Sequence, residues 1–182
     1  PDQMNTRVAD SVYANPASGR IVGPVFGGGR AHLLKIRDTR PSDTEYAHAR
    51  HILLKTSEAN PELQGRLQAI RDTIESGAAT FAEMARSYSD DGSASKGGDL
   101  GWFAEGSMVA AFGDAVFGNA PGTLVGPVRS EFGYHLIRVE GRADEAVQVA
   151  DLAYNLKPSQ ATLSDKESLL GDLAYFAAQD GD

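Results

Sequence analysis

Apolar and polar residues alternate with two different periods along the middle of the chain. Residues 46–55 follow the period of two that is typical of a strand, so His51 and Leu53 are predicted to share one face. Three later segments place apolar residues at helical spacing, and each begins with a residue type that caps helices. These predicted helices begin at Asn60-Pro61, Thr80 and Ser107.

Two further strands, 125–128 and 134–139, follow the last of these helices and are joined by a turn at 129–133. The order is therefore strand, helices, strand, strand. Such an order predicts an α+β domain, in which helices pack over a mostly antiparallel sheet.

The segments that flank this domain carry weaker patterns. A polar stretch at 38–44 contains Pro41 and predicts a linker or turn. Beyond the domain, 145–156 is predicted to be extended, and 164–178 to be a helix because leucines and aromatic residues recur there among acidic and small ones. That helix is either part of a following module or an element that docks on a neighbour.

The beginning of the chain repeats the end of the predicted domain. Residues 9–37 match 113–139 with few gaps, although Gly29 stands where the second copy has Phe132. The alternative is a chance similarity of two Gly-Pro hairpins. The matched residues include Asp10, Val12, Tyr13, Asn15, Gly23, Pro24, Val25, His32 and Leu33 against Asp114, Val116, Phe117, Asn119, Gly126, Pro127, Val128, His135 and Leu136.

This repeat predicts three parts in the chain. Residues 1–40 would be the end of a preceding, degenerate unit, 44–142 the complete domain, and 143–182 a strand and helix of a following module. The chain starts at Pro1 without an initiator Met, so we expect a piece of a longer polypeptide.

Composition and charge exclude several classes of function. With 182 residues and 41% hydrophobic content, the chain can bury one good core. Its net charge is −8 and its basic residues form no run, so no nucleic-acid partner is predicted. The absence of cysteine excludes disulfides and thiolate catalysis. No apolar run is long enough for a membrane span, so any membrane attachment would lie outside this chain.

Residues 89–112 concentrate the candidate chemistry. Asp91 lies in a turn, and a glycine-rich loop at 97–98 follows before a set of bulky apolar residues. So much apolar surface predicts a pocket with an acid at its rim. The alternative is ordinary core packing beneath a surface turn. No metal site is predicted, because His48 and His51 are expected on opposite strand faces and no cysteine or HExxH helix supports them.

Four segments in this order resemble the parvulin family of peptidyl-prolyl cis/trans isomerases. They are HILLK at 51–55, FAEMARSYSDD at 81–91, GGDLGWF at 97–103 and GPVRSEFGYHLIRV at 126–139. The resemblance implies a four-stranded, mostly antiparallel sheet with helices packed on it.

The same resemblance implies roles for individual residues. Asp91 matches the family's acid and would act electrostatically, above two neighbouring histidines. Ser130 would contribute to the same wall. The implied catalytic residues are His51, Asp91, His135 and Ser130, and the implied proline-binding residues are Leu100, Met108, Phe112 and Phe132.

The activity implied is rotation about Xaa-Pro bonds of unfolded polypeptides in the periplasm or cell envelope, without a cofactor. The loop at 55–67 lacks a Lys/Arg cluster, so phosphorylated substrates are not expected. Two alternatives stay open: a non-catalytic chaperone module that binds extended peptides, and a spacer between partner domains. The clients, the residue preferred before proline and the oligomeric state are left open by the sequence.

Overall fold

An antiparallel sheet of five strands runs through the computed structural model, which describes residues 1–155. The strand order is β1-β2-β5-β4, and β3 pairs with another part of β2. The strands are β1 (Ile21–Gly27), β2 (Arg30–Lys55), β3 (Asp99–Ala104), β4 (Leu124–Ser130) and β5 (Gly133–Asn155). The helices are α1 (Thr6–Tyr13), α2 (Pro61–Glu75), α3 (Phe81–Tyr88) and α4 (Ala110–Phe117), and a 3₁₀ turn spans Gly92–Lys96. The α+β architecture is confirmed.

Helices α2 and α3 begin where the sequence predicts. The Asn60 side chain accepts hydrogen bonds from the backbone of Glu62 and Leu63. Thr80 and Glu83 satisfy each other's backbone N–H groups in a capping box. Local side-chain chemistry therefore defines both starts.

The predicted start of the next helix is wrong. The Ser107 hydroxyl donates to the carbonyl of Ala104 in the preceding turn, and α4 begins at Ala110 without a side-chain cap. Phe112 and Val116 are buried against the sheet, so packing of the apolar face decides where this helix lies.

The two faces of the central sheet carry different helices. Helices α2 and α3 cover a core that includes Ile52, Leu54 and Leu136. Helix α4 covers the opposite face, where Ala49 and Ile137 are buried. Because side chains alternate along a strand, His51 and His135 lie on the α4 face.

Strands β2 and β5 pair over nearly their whole length, from Arg30 opposite Asn155 to Lys55 opposite Gly133. The prediction of a linker or turn at 38–44 is therefore wrong, because this stretch lies inside β2. Proline has no N–H to donate to a ladder, and the register of this ladder shifts directly after Pro41, between Pro41 and Tyr46.

The extended segment predicted at 145–156 continues β5 as far as Asn155. The predicted domain boundaries at 40–44 and 142–143 both fall within long strands, and the three-part division stays a prediction. The helix predicted at 164–178 lies outside the described residues. Among residues 1–155, no helix has the length and apolar character needed to cross a membrane.

The internal repeat has a structural counterpart. Both copies have the order helix, strand, strand, and both strand pairs shift register at a Gly-Pro step. Gly23 and Gly126 adopt φ of 131° and 129°, and a Cβ on either would lie 2.5 Å from the carbonyl oxygen of the facing His32 or His135. Only glycine allows the chain to approach its partner so closely.

Helix α1 is joined to the central sheet by a buried imidazole. His48 Nδ1 lies 3.0 Å from Asp10 of α1, and its Nε2 lies 2.9 Å from Asp99 of β3. The indole N–H of Trp102 also donates to Asp10, at 2.9 Å. Burial alone would lower the pKa of His48, but hydrogen bonds and charge from the two carboxylates outweigh it and raise the pKa to about 9.

We expect the free energy of unfolding to fall as the pH rises from about 6.5 to 9. His48 binds its proton more tightly when folded, so its stabilising contribution is complete below the unfolded pKa and lost as pH rises through the folded one. The loss should be about 2 kcal/mol. This is less than the pKa shift of His48 alone would give, because the Asp10 side chain is partly exposed and water screens its charge. Urea unfolding at pH 6 and pH 9.5 measures it. The variant His48→Gln should lose this alkaline dependence, and an unchanged dependence would contradict the assignment.

Candidate functional site

A cavity of about 500 Å³ opens on the α4 face of the sheet. It is bounded by β2 and β5 below, by the 3₁₀ turn at one side and by α4 at the other. Seven of the eight site residues predicted from sequence line it, and Ser130 lies behind His135. The lining residues are His51, Leu53, Lys55, Asp91, Leu100, Ser107, Met108, Val109, Phe112, Phe132 and His135.

The polar wall is a row of four side chains. Ser130 Oγ lies 2.6 Å from His135 Nε2, and His135 Nδ1 lies 3.3 Å from His51 Nδ1. His51 Nε2 lies 3.1 Å from Asp91 Oδ1, which is contact distance, although the N–H is not aligned for a hydrogen bond. The row extends from buried Ser130 to Asp91 at the cavity.

The hydrogen bonds at the buried end of this row fix the roles of Ser130 and His135. Ser130 Oγ already accepts the backbone N–H of Phe132, so its hydroxyl proton is available for His135 Nε2. His135 Nδ1 then faces His51 Nδ1, and His51 Nε2 faces Asp91. The row ends on the carboxylate of Asp91.

The pKa shifts support a neutral His135 and an ionised Asp91. Burial, followed by the charge of nearby His51, lowers the pKa of His135 to about 4, which keeps it neutral at physiological pH. Burial alone would raise the pKa of Asp91, but hydrogen bonding from Ser93 and the proximity of His51 hold it well below its usual range. The cavity therefore presents one fixed negative charge.

Local structure holds Asp91 in place. Its carboxylate accepts the N–H of Ser93 at 2.8 Å and so begins the 3₁₀ turn. That turn ends in a glycine loop that lies directly on β2, where the N–H of His51 donates to the carbonyl of Gly98. A Cβ on Gly98, whose φ is +78°, would lie 2.3 Å from the His51 carbonyl oxygen. The loop's close approach keeps Asp91 beside His51.

The apolar wall meets the imidazoles edge to face. The Phe112 ring lies 5.6 Å from that of His51 and 5.4 Å from that of His135, both at steep angles. Phe112 is buried, whereas Phe132 is 53% exposed at the mouth. The cavity thus combines an apolar inner surface with a single anionic group at its rim.

Sequence reasoning missed Leu53, Lys55, Ser107 and Val109 as lining residues. A signal for two of them was present, because strand parity places Leu53 and Lys55 on the same face as His51. Lys55 brings one cation to the mouth.

A second cavity, of about 440 Å³, lies between α1 and the central sheet. Its charged side chains are already paired with one another, as in the contacts of His48 with Asp10 and of Arg50 with Glu140. More of its lining residues are charged than in the first cavity, so the first one is the better candidate site for an apolar ring.

Comparison with known proteins gives consistent matches. The sequence profile of the PPIC-type PPIASE domain matches residues 31–143. Chaperone SurA of Photorhabdus laumondii subsp. laumondii is 39% identical over 176 residues, which cover 90% of this chain and 41% of that protein. Chaperone SurA of Thiobacillus denitrificans is 42% identical over 169 residues, covering 86% of this chain and 38% of that protein.

A solved PpiC-type peptidyl-prolyl cis-trans isomerase domain is similar in structure, with a TM-score of 0.53 and 27% identity, over 56% of this chain and 94% of that one. A peptidyl-prolyl isomerase from Candida albicans gives a TM-score of 0.50 at 26% identity, over 53% of this chain and 63% of that one. The chain spans only about two fifths of the length of the two SurA relatives, 41% and 38%.

Proposed function

Because this chain belongs to the PpiC-type peptidyl-prolyl isomerase (parvulin) family, we propose that its cavity binds the proline of Xaa-Pro segments in unfolded polypeptides and accelerates their cis/trans rotation. The observation that carries this proposal is the shared cavity of Asp91, Met108 and Phe112, open to solvent at Phe132. A prolyl ring fits the apolar floor, and its amide then lies near the carboxylate.

The reaction needs no bond to be made or broken. The barrier to amide rotation is about 18–20 kcal/mol because the twisted amide loses its resonance. A twisted amide is less polar than a planar one, so a site that removes water from the prolyl ring and carbonyl favours the transition state. The buried ring of Phe112 and the side chains of Leu100 and Met108 supply such surroundings.

The polar row would supply the electrostatic part. Asp91 is ionised and held by Ser93, and His51, with neutral His135 behind it, lies against the carboxylate. A carboxylate with so low a pKa is a poor nucleophile toward an unactivated amide, which supports a non-covalent role. Because the carboxylate of Asp91 is already in position, it does not have to reorient when the amide twists.

The charges at the cavity support unphosphorylated substrates. Lys55 is the one cationic residue among those lining it, and Asp91 would repel a phosphate close by. A phosphate-directed site needs several donors that converge on the group before proline. Segments with neutral or apolar residues before proline therefore fit better.

Two-dimensional NMR exchange on a proline tetrapeptide tests the proposal. Uncatalysed isomerisation takes tens to hundreds of seconds, so catalysis should produce exchange peaks that are absent from the free peptide. The variant Met108→Ala should reduce them, because it removes part of the apolar floor. Equal exchange rates with and without the protein would refute isomerase activity.

A chaperone role is a second candidate, supported by the relatives named Chaperone SurA. In that case the cavity would hold extended segments without useful catalysis, in the periplasm or cell envelope. Suppressed aggregation of an unfolded client, unchanged by Asp91→Asn, would favour this role. An absence of client binding would exclude it.

A further inference from the structure

The outer edge of β2, the one that faces away from β5, changes its partner beside the cavity. β3 pairs with this edge as far as Arg50, although β2 itself continues to Lys55. The loop of residues 89–98 takes over from β3 there, and the N–H of His51 donates to the carbonyl of Gly98 at 2.9 Å. A loop therefore covers the part of the strand whose side chains line the cavity.

Leu53 is held by this loop through both of its backbone groups. Its carbonyl accepts the N–H of Asp90 at 2.8 Å. Its N–H donates to the hydroxyl oxygen of Ser89 at 3.1 Å, in the place where a neighbouring strand would offer a backbone carbonyl. The Ser89 side chain thus acts as the acceptor that a further strand would otherwise supply.

The same hydroxyl oxygen also holds the candidate acid. The backbone N–H of Asp91 donates to Ser89 Oγ at 3.3 Å, so one oxygen joins the strand to the residue that carries the carboxylate. The backbone of Ser89 is fixed as well, because its N–H donates to the carbonyl of Ala85 at 3.0 Å, at the end of α3. Ser89 therefore connects α3, β2 and the backbone of Asp91 at one point.

This connection lies next to the contact between the carboxylate and the first imidazole. Asp91 Oδ1 lies 3.1 Å from Nε2 of His51, which is two residues before Leu53 along β2. The bonds of β2 to Ser89 and to Gly98 hold the loop on either side of that contact. A displacement of about 1 Å at such a site can cost about 100-fold in rate. The acceptor at Ser89 is therefore placed to affect catalysis.

We propose that Ser89 is a positioning residue of the isomerase site, and that its hydroxyl sets the place of the Asp91 carboxylate relative to His51. The kinetic part of this inference rests on the isomerase function proposed above. Ser89 lies outside the cavity lining, so it acts through Asp91 and does not touch the bound peptide.

The variant Ser89→Ala in the full chain tests the proposal. It removes the acceptor of both N–H groups, and we expect kcat for a proline tetrapeptide to fall about tenfold. KM should change by less than about twofold, since the apolar side chains that hold the prolyl ring are untouched. Ser89→Thr keeps the hydroxyl and suits the extended backbone at this position, where φ is −78° and ψ is 133°, so it should restore most of the lost kcat.

Ser76→Ala is the matched control, because Ser76 directly follows α2 as Ser89 directly follows α3. The Ser76 hydroxyl donates to the carbonyl of Thr73 in its own helix and lies outside the cavity lining, so kcat should be kept. Full kcat in Ser89→Ala would overturn the proposal. Equal losses in the two alanine variants, or no recovery in Ser89→Thr, would overturn it as well.

Titration of the Asp91 carboxyl by NMR separates this inference from the proposed function, because it needs no turnover. Burial alone would raise the pKa of Asp91, but Ser93 and nearby His51 outweigh it and hold the pKa well below its usual range. In Ser89→Ala the pKa should rise toward that range, because the carboxylate is no longer held against His51. An unchanged pKa would overturn the positioning role even where catalysis stands. A raised pKa in a chain without isomerase activity would support the positioning role and refute only the isomerase function.

Discussion

The variant Asp91→Asn is expected to lower kcat/KM for a proline peptide about 100-fold, within the range found for single preorganised electrostatic groups. The substitution removes the only carboxylate among the residues lining the cavity. It keeps an oxygen able to accept the Ser93 N–H, and asparagine caps a helical turn about as well as aspartate does. The 3₁₀ turn should therefore persist, so that the loss reports charge and not misfolding.

Asp90→Asn is the matched control. Asp90 is the neighbouring carboxylate, but it is exposed, lies outside the cavity lining and accepts the backbone N–H of Lys55, a bond that asparagine can retain. This variant should keep nearly full activity. If both variants, or neither, lost activity in a proline-peptide assay, the role assigned to Asp91 would be wrong.

The variant Phe112→Ala is expected to lower the free energy of unfolding by about 3–5 kcal/mol, the usual cost of removing a buried aromatic ring. Phe112 is nearly fully buried and touches the rings of His51, His135 and Phe103. Its loss leaves a void beneath the polar row, which packing cannot easily close. Urea unfolding at constant pH measures the change, and isomerase activity should be lost with it.

Phe132→Ala provides the contrast within the same cavity. Phe132 is half exposed at the mouth, so its truncation should change the free energy of unfolding by less than about 1 kcal/mol. Its effect should appear as a higher KM, since it covers bound peptide and supports no core. A similar loss of stability in both variants would contradict the assignment of Phe112 to the core and of Phe132 to peptide binding.

The sequence itself determined the parts of this protein that depend on neighbours along the chain. Asn60 and the pair Thr80 and Glu83 define helix starts through bonds that span two or three residues. The alternation of side chains along a strand likewise predicted that His51 and Leu53 share one face of the sheet. Seven of the eight site residues, which the resemblance to the parvulin family implied, do line one cavity.

Only the tertiary structure decided the features that depend on distant pairing. The stretch around Pro41 has the local composition of a linker, but it is strand because residues 145–148 lie beside it. His48 is charged only because Asp10 and Asp99 converge on it from two other elements. Local pattern sets the preference of a segment, whereas ladder hydrogen bonds and burial come from partners that are distant in sequence, such as Arg30 and Asn155. These partners decided where strands extend and which charges meet.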